Sequence, residues 1–337
     1  MSIFSRTLVG AALGATMMVS VPAFAEESIN VLLWGTTWQD GVEAAAKKFT
    51  EKTGIKVKFQ SQATAGEGLV KLQTLRDKSD IDVWFTTASV SQRASDDKAL
   101  FVPIPADKVP NLKDLSKGAA TDYYVGAYAY PISIVYRTDL IKEPITSYED
   151  LWNRADLKGK IGFPAMGFYQ GRGLMMASLV NGGSTTDADK GFEALKKLKP
   201  QIATFLASDA QARTGLSQGE IAVAVAPPSL GKRVSDAGLP VKIISPKPAI
   251  MNYDVMMIVN GKKQDAAAKF IDFMISEDIN GALAAGLNMA PVNAKAQPSP
   301  ALAAVLPKEE DKVSLDEGFV NKNIAAWTER FNNEIAK

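Results

Sequence analysis

The chain has 337 residues, 46% of them hydrophobic, with 38 Lys and Arg against 37 Asp and Glu, and it contains neither Cys nor His. Without imidazole or thiol there is no Ser-His-Asp triad, no Cys nucleophile, no typical zinc site and no disulfide. A formal net charge of +1 gives no electrostatic footing on nucleic acid or an acidic membrane. Carboxylate pairs, a Ser-Lys pair or an oxygen-ligand metal site remain chemically open.

The N-terminus reads as an export signal. Arg6 is followed by the uncharged run LVGAALGATMMVSVPAFA, which ends in Ala23-Phe24-Ala25 after Pro22, so cleavage is expected after Ala25. Its removal takes away one cation, leaving 37 basic and 37 acidic residues. The mature chain of about 310 residues is long enough for two cored domains.

Beyond it, Ser28 to Leu33 (SINVLL) predicts a strand. Val42 to Lys52 predicts an amphipathic helix with Val42, Ala45, Ala46 and Phe49 on one face, stopped by Gly54. Ile55 to Phe59 alternates as a strand, Leu69, Leu72 and Leu75 mark a second helix, and Ile81 to Phe85 a third strand. Strands and helices in this alternation predict a parallel α/β sheet. After the Pro-rich interval 102–110, further strands are expected at Tyr130 to Tyr136, Lys160 to Phe163, Ile221 to Ala226, Val241 to Ile244 and Val255 to Val259. Helices are expected at Gly191 to Leu198 and Ala266 to Ile275, and Pro291 to Ala304 reads as an Ala/Pro-rich linker. The pattern is one α/β block, a second, and a return to the first.

Four segments carry a resemblance: FTEKTGIKVKF (Phe49 to Phe59), SYEDLWNRADLKGKIGFP (Ser147 to Pro164), GEIAVAVA (Gly219 to Ala226) and AAAKFIDFMISED (Ala266 to Asp278). In this order, behind an export signal, the chain resembles the type 1 extracellular solute-binding proteins and, among them, the spermidine/putrescine-binding branch. The resemblance implies an α/β, two-lobed periplasmic binding fold of type II-like form, with a small-molecule ligand in the cleft between lobes. Lobe 1 would comprise residues 26–129 and 255–298, and lobe 2 residues 130–254 and 299–337. It also implies a periplasmic monomer without cofactor or metal, not an enzyme, whose partner is the permease of an ABC transporter in the inner membrane.

In such lobes the loops at the carboxyl ends of strands face the cleft. The residues so placed are Trp34, Thr36, Thr37, Trp38, Thr87, Ser89, Tyr169, Gln170, Arg172, Asp209, Ser229, Asn252, Tyr253 and Asp254. Trp34 matches the family's ligand-stacking aromatic, and Asp254 the position where polyamine-binding relatives carry an ammonium-binding aspartate. The Thr and Ser hydroxyls can bond a ligand or cap the helices that follow. Arg172, flanked by Gly171 and Gly173, suits a carboxylate. As a cation opening a helix it also needs an anionic partner. Asp209, in Ser-Asp, has the alternative role of a helix cap.

The chain departs from the polyamine pattern. Ala165 to Arg172 carries no acidic residue where those relatives have two, and Pro227-Pro228 stand where they have a tryptophan. These departures disfavour a linear dication and favour an amino-acid-like zwitterion, with opines as one class. Alternatives are a polyamine, a phosphonate or phosphate ester, and a ferric ion; Tyr169 and Tyr253 do not form the adjacent tyrosine pair of ferric relatives. A periplasmic enzyme on the same fold is the weakest alternative, and a receptor-presenting role is not separable from transport in sequence.

Overall fold

A computed structural model describes residues 27–35 and 37–337, with the side chain of Thr37 left out; the expected export signal and Thr36 lie outside the described residues. The described residues form twelve strands: β1 (Ser28–Trp34), β2 (Lys56–Gln62), β3 (Val83–Thr87), β4 (Phe101–Val102), β5 (Val125–Pro131), β6 (Ser133–Arg137), β7 (Ile161–Pro164), β8 (Ile202–Leu206), β9 (Val223–Ala226), β10 (Val241–Ile244), β11 (Ala249–Val259) and β12 (Lys312–Val313).

They make two sheets. The first runs β12-β11-β3-β1-β2, with β4 and β5 also paired to β11; the second runs β10-β6-β9-β7-β8. β1 is parallel to β2 and β3, while β11 is antiparallel to β3, β4 and β5. In the second sheet β7 is parallel to β8 and β9, and β6 is antiparallel to β9 and β10. The first three strands are parallel as expected, and the two sheets become mixed where β11 enters the first and β6 the second antiparallel.

Central strands are apolar on both faces because helices cover both. In β1, Ile29, Val31 and Leu33 enter one core while Leu32 enters another. In β6, Ile134 and Tyr136 face one core and Val135 another. Such near-continuous apolar runs are what a doubly covered strand requires. Helix Thr37–Thr53 buries the face foreseen for it, Val42, Ala45, Ala46 and Phe49. The Phe49 ring meets Phe270 edge-on at 5.3 Å, tying that helix to helix Gln264–Met274.

The run Tyr130 to Tyr136 is two strands rather than one. The chain leaves the first sheet after Pro131 and joins the second at Ser133. Pro131 has no N–H to continue a ladder, and the next amide, Ile132, donates instead to the Ile250 carbonyl at 3.0 Å. β11 begins at Ala249, earlier than its apolar half, and pairs along β5. These adjacent strands carry the chain between lobes. A third connection is the C-terminal helix Glu317–Glu334, whose Val320, Trp327 and Phe331 join the second sheet's core. Residues 291–304 are anchored rather than loose. Asn280 accepts from the amides of Val292 (2.8 Å) and Asn293 (3.0 Å) and donates to the Ala127 carbonyl at 2.8 Å.

Candidate functional site

A cleft of about 510 Å³ opens between the lobes at the ends of the strands. From the first lobe it is lined by Trp34 at the end of β1, Trp38, residues 63–66 at the start of helix Ala65–Leu75, Thr87 at the end of β3, and Tyr130. The second lobe contributes Gly167 to Gln170, Arg172 and Ala207 to Asp209, and β11 supplies Asn252, Tyr253 and Asp254.

Aromatic rings form the walls. Trp38 stacks on Tyr128 with centroids 5.8 Å apart and planes 9° from parallel, and the Arg233 guanidinium lies 6.0 Å from the Trp38 ring. Arg233 belongs to helix Pro228–Asp236 of the second lobe, so this contact reaches across the cleft. Phe168 and Tyr169 stack on each other at 3.9 Å. The loop that presents them has three consecutive residues at positive φ: Tyr169 (61°), Gln170 (52°) and Gly171 (75°). Outside glycine this conformation costs about 1 kcal/mol or more per residue, and here it turns the loop tip into the cleft.

The charged groups are distributed unevenly. Asp254 is 7% exposed, and its Oδ1 has no hydrogen-bond partner. Burial pushes its carboxyl up to about 7, with the Tyr128 hydroxyl and the Arg172 charge pulling the other way. Asp209 accepts a 2.8 Å bond from the Tyr169 hydroxyl and a 3.4 Å ion pair from Arg233. The phenols of Tyr128, Tyr130 and Tyr169 are held well above their usual range, by burial first and then by the neighbouring carboxylates. All three therefore stay protonated, with the Tyr169 hydroxyl already donating to Asp209.

Arg172 lines the cleft but is only 3% exposed. It ion-pairs with Glu317 through Nη2, and Nη1 donates to the Tyr169 carbonyl at 3.4 Å. The anionic partner that a cation at a helix start requires is thus inside the protein. Sequence reasoning placed that partner on a ligand and missed Glu317, 145 residues away.

Other expected residues divide clearly. Trp34, Trp38, Thr87, Tyr169, Gln170, Arg172, Asp209, Asn252, Tyr253 and Asp254 come together around the cleft. Thr87 also caps helix Ala88–Ala94, and Ser208, not Asp209, caps the helix that follows it. Ser89 and Ser229 are not on the lining: both are essentially fully buried, and Ser89 is bonded to Asn321. Each is the second residue of its helix, with its side chain buried within the protein rather than at the cleft. Thr36 lies outside the described residues, as does the side chain of Thr37. Unforeseen lining residues include Tyr130, Thr64 and Arg93, an exposed cation in no ion pair among the described residues. Thr64 was legible: in Thr64-x-x-Glu67 its hydroxyl accepts from the Glu67 amide at 3.1 Å, and the Glu67 carboxylate accepts from Ala63 at 2.9 Å.

This architecture agrees with the comparisons. The sequence profile of the family described as bacterial extracellular solute-binding protein matches residues 44–307. The chain belongs to that family. The spermidine/putrescine-binding periplasmic protein of Salmonella typhimurium is 27% identical over 271 residues, covering 76% of each chain. A putative extracellular solute-binding protein from Bordetella parapertussis superposes with a TM-score of 0.82 at 23% identity, covering 93% of this chain and 100% of the other. An ABC transporter structure from Clostridium perfringens gives 0.79 at 23% identity, covering 91% and 99%. These neighbours share the two-lobed fold of the solute-binding protein.

Proposed function

We propose that the protein is the periplasmic binding component of an ABC importer and holds an amine-bearing, amino-acid-like zwitterion intact between its lobes. The observation that carries this reading is Asp254, a buried carboxylate facing the cleft with one oxygen unpartnered. A buried charge without a partner is costly, and a solute ammonium is the group that relieves it. Relatives named for spermidine and putrescine share that amine.

The anionic end of the solute falls to the helix starts and cations around the cleft. Helices Ala65–Leu75, Arg172–Val180 and Asp209–Gln218 all begin at the cleft, where their positive ends favour anions. Arg172 and Arg93 supply cations there. Trp34 and Trp38 then cover the chain between the two ends, a hydroxylated one in the opine class. Lobe closure pivots on the crossover strands. The protein acts as a monomer and leaves its solute chemically unchanged.

A diamine is the second reading, favoured because Glu317 already occupies Arg172. Thermal shift of the mature protein against opines, ω-amino acids, α-amino acids and polyamines tests the proposal. Shifts with zwitterions support it; shifts confined to putrescine and spermidine would favour the second reading, and an unchanged melting temperature with every amine would refute both.

A further inference from the structure

Arg172 and Glu317 are the first residues of two different helices, Arg172–Val180 and Glu317–Glu334. Their placements are opposite in kind. A carboxylate in a first turn is favoured by the helix dipole, and a guanidinium there is not. Arg172 lines the cleft and Glu317 does not. Their side chains are 4% and 13% exposed.

The pair is only partly satisfied. Nη2 of Arg172 bonds Glu317 Oε1, yet Arg172 Nε and Glu317 Oε2 are both buried without partners. A purely structural buried pair would be expected to satisfy its remaining donors and acceptors. The local charge also spreads. Tyr124 and Tyr130 both feel Arg172 and Glu317, and Asp254 feels Arg172. Neutralising either member changes the charge felt at Tyr130, which lines the cleft.

We propose that Glu317 is a specificity-determining residue that acts through Arg172 from behind the cleft, setting how strongly that guanidinium attracts an anionic group on the solute. With Glu317 ionised, the pair is neutral and a solute carboxylate competes with an internal one. With Glu317 neutral, Arg172 becomes an uncompensated cation facing Asp254 across the cleft, and the site selects an ammonium and a carboxylate together. The inference rests on the reading that Arg172 faces the solute. It adds that the balance between diamine and zwitterion is set by a residue that never touches either.

The test uses a matched pair of probes, putrescine and 5-aminopentanoate, in which one ammonium is exchanged for a carboxylate on the same four-carbon chain. Affinities are measured by calorimetry on the mature wild type and on Glu317→Gln, Glu317→Asp and the double variant Arg172→Gln/Glu317→Gln. Glu317→Gln is expected to raise the preference for 5-aminopentanoate over putrescine by roughly tenfold or more. Glu317→Asp restores the wild-type preference, and the double variant, which leaves no unpaired buried charge and so guards against misfolding of the single one, loses the gain. An unchanged ratio in Glu317→Gln, with both affinities or the melting temperature falling together, would show a structural role and overturn the inference while leaving the proposed function standing. If neither probe binds wild type or variants, this inference falls, and the thermal-shift panel alone decides the proposed function.

Discussion

Ser89 and Asn321, 232 positions apart, exchange two hydrogen bonds: Ser89 Oγ donates to Asn321 Oδ1 at 3.1 Å, and Asn321 Nδ2 donates to the Ser89 carbonyl at 2.6 Å. Ser89 lies in the helix that follows β3 of the first sheet, while the helix bearing Asn321 is rooted in the second sheet's core. The C-terminal helix is therefore a strut between lobes. Asn321→Ala leaves the fully buried Ser89 hydroxyl without that partner. The expected cost is about 1–3 kcal/mol in urea unfolding. Scattering measurements should also show a more expanded unliganded protein. Unchanged stability and dimensions would remove the strut.

The Asp254 carboxyl, raised to about 7 from an ordinary 3.8, makes stability depend on pH in a defined direction. Between those values the folded state keeps a proton that the unfolded chain has released. Unliganded stability therefore falls as pH rises from about 4 to about 7 and levels off above. Glu317 and Asp82, also raised chiefly by burial, act in the same sense. No histidine titrates in this window. Melting of the unliganded protein is expected at a higher temperature at pH 5.5 than at pH 7.5 (values chosen to lie roughly within and above the titration range). Asp254→Asn should narrow that difference, and a difference of opposite sign would contradict the assignment.

Amine binding runs the other way. An ammonium needs the Asp254 carboxylate, so below the titration point it must displace a proton. Affinity is expected to weaken by up to about tenfold per pH unit on acidification. Calorimetry in buffers of different ionisation enthalpy should report proton release on binding below that point. A flat pH profile would count against an ammonium at Asp254.

Gly68 supports the cleft from behind. A Cβ there would sit 1.8 Å from Gln62 Oε1 and 2.7 Å from Trp84 Nε1, atoms that share a buried 2.8 Å hydrogen bond. Gly68→Ala is expected to displace that pair and cost about 1–3 kcal/mol. It should also weaken solute binding, because the same helix opens with Thr64 to Gly66 at the cleft. Wild-type stability in this variant would show that the helix shifts freely.

Most elements were readable in sequence because their periodicity is local. Val42, Ala45, Ala46 and Phe49 announce their helix, and the IAVAVA run announces β9. Long-range events were not. The break at Ile132 depends on a carbonyl from Ile250, and the early start of β11 is masked by Asn252, Tyr253 and Asp254, which are polar because they face the cleft. The candidate site was legible where a strand ends in a distinctive side chain, as at Trp34, or where a carboxylate stands beside an apolar run, as at Asp254. It was opaque where a partner arrives from far along the chain. Glu317 at Arg172 and Asn321 at Ser89 both come from the C-terminal helix, and nothing near Arg172 or Ser89 in sequence points to them.

Asp254 is the acceptor on which recognition of a solute amine turns. Calorimetric titration of the mature wild type and Asp254→Asn with the same panel of amine-bearing and amine-free solutes measures this directly. Saturable binding of an amine by wild type, lost or reduced by at least about a hundredfold in Asp254→Asn, is the predicted result. Equal binding of any solute by the two proteins, or tight binding confined to amine-free compounds, would contradict it.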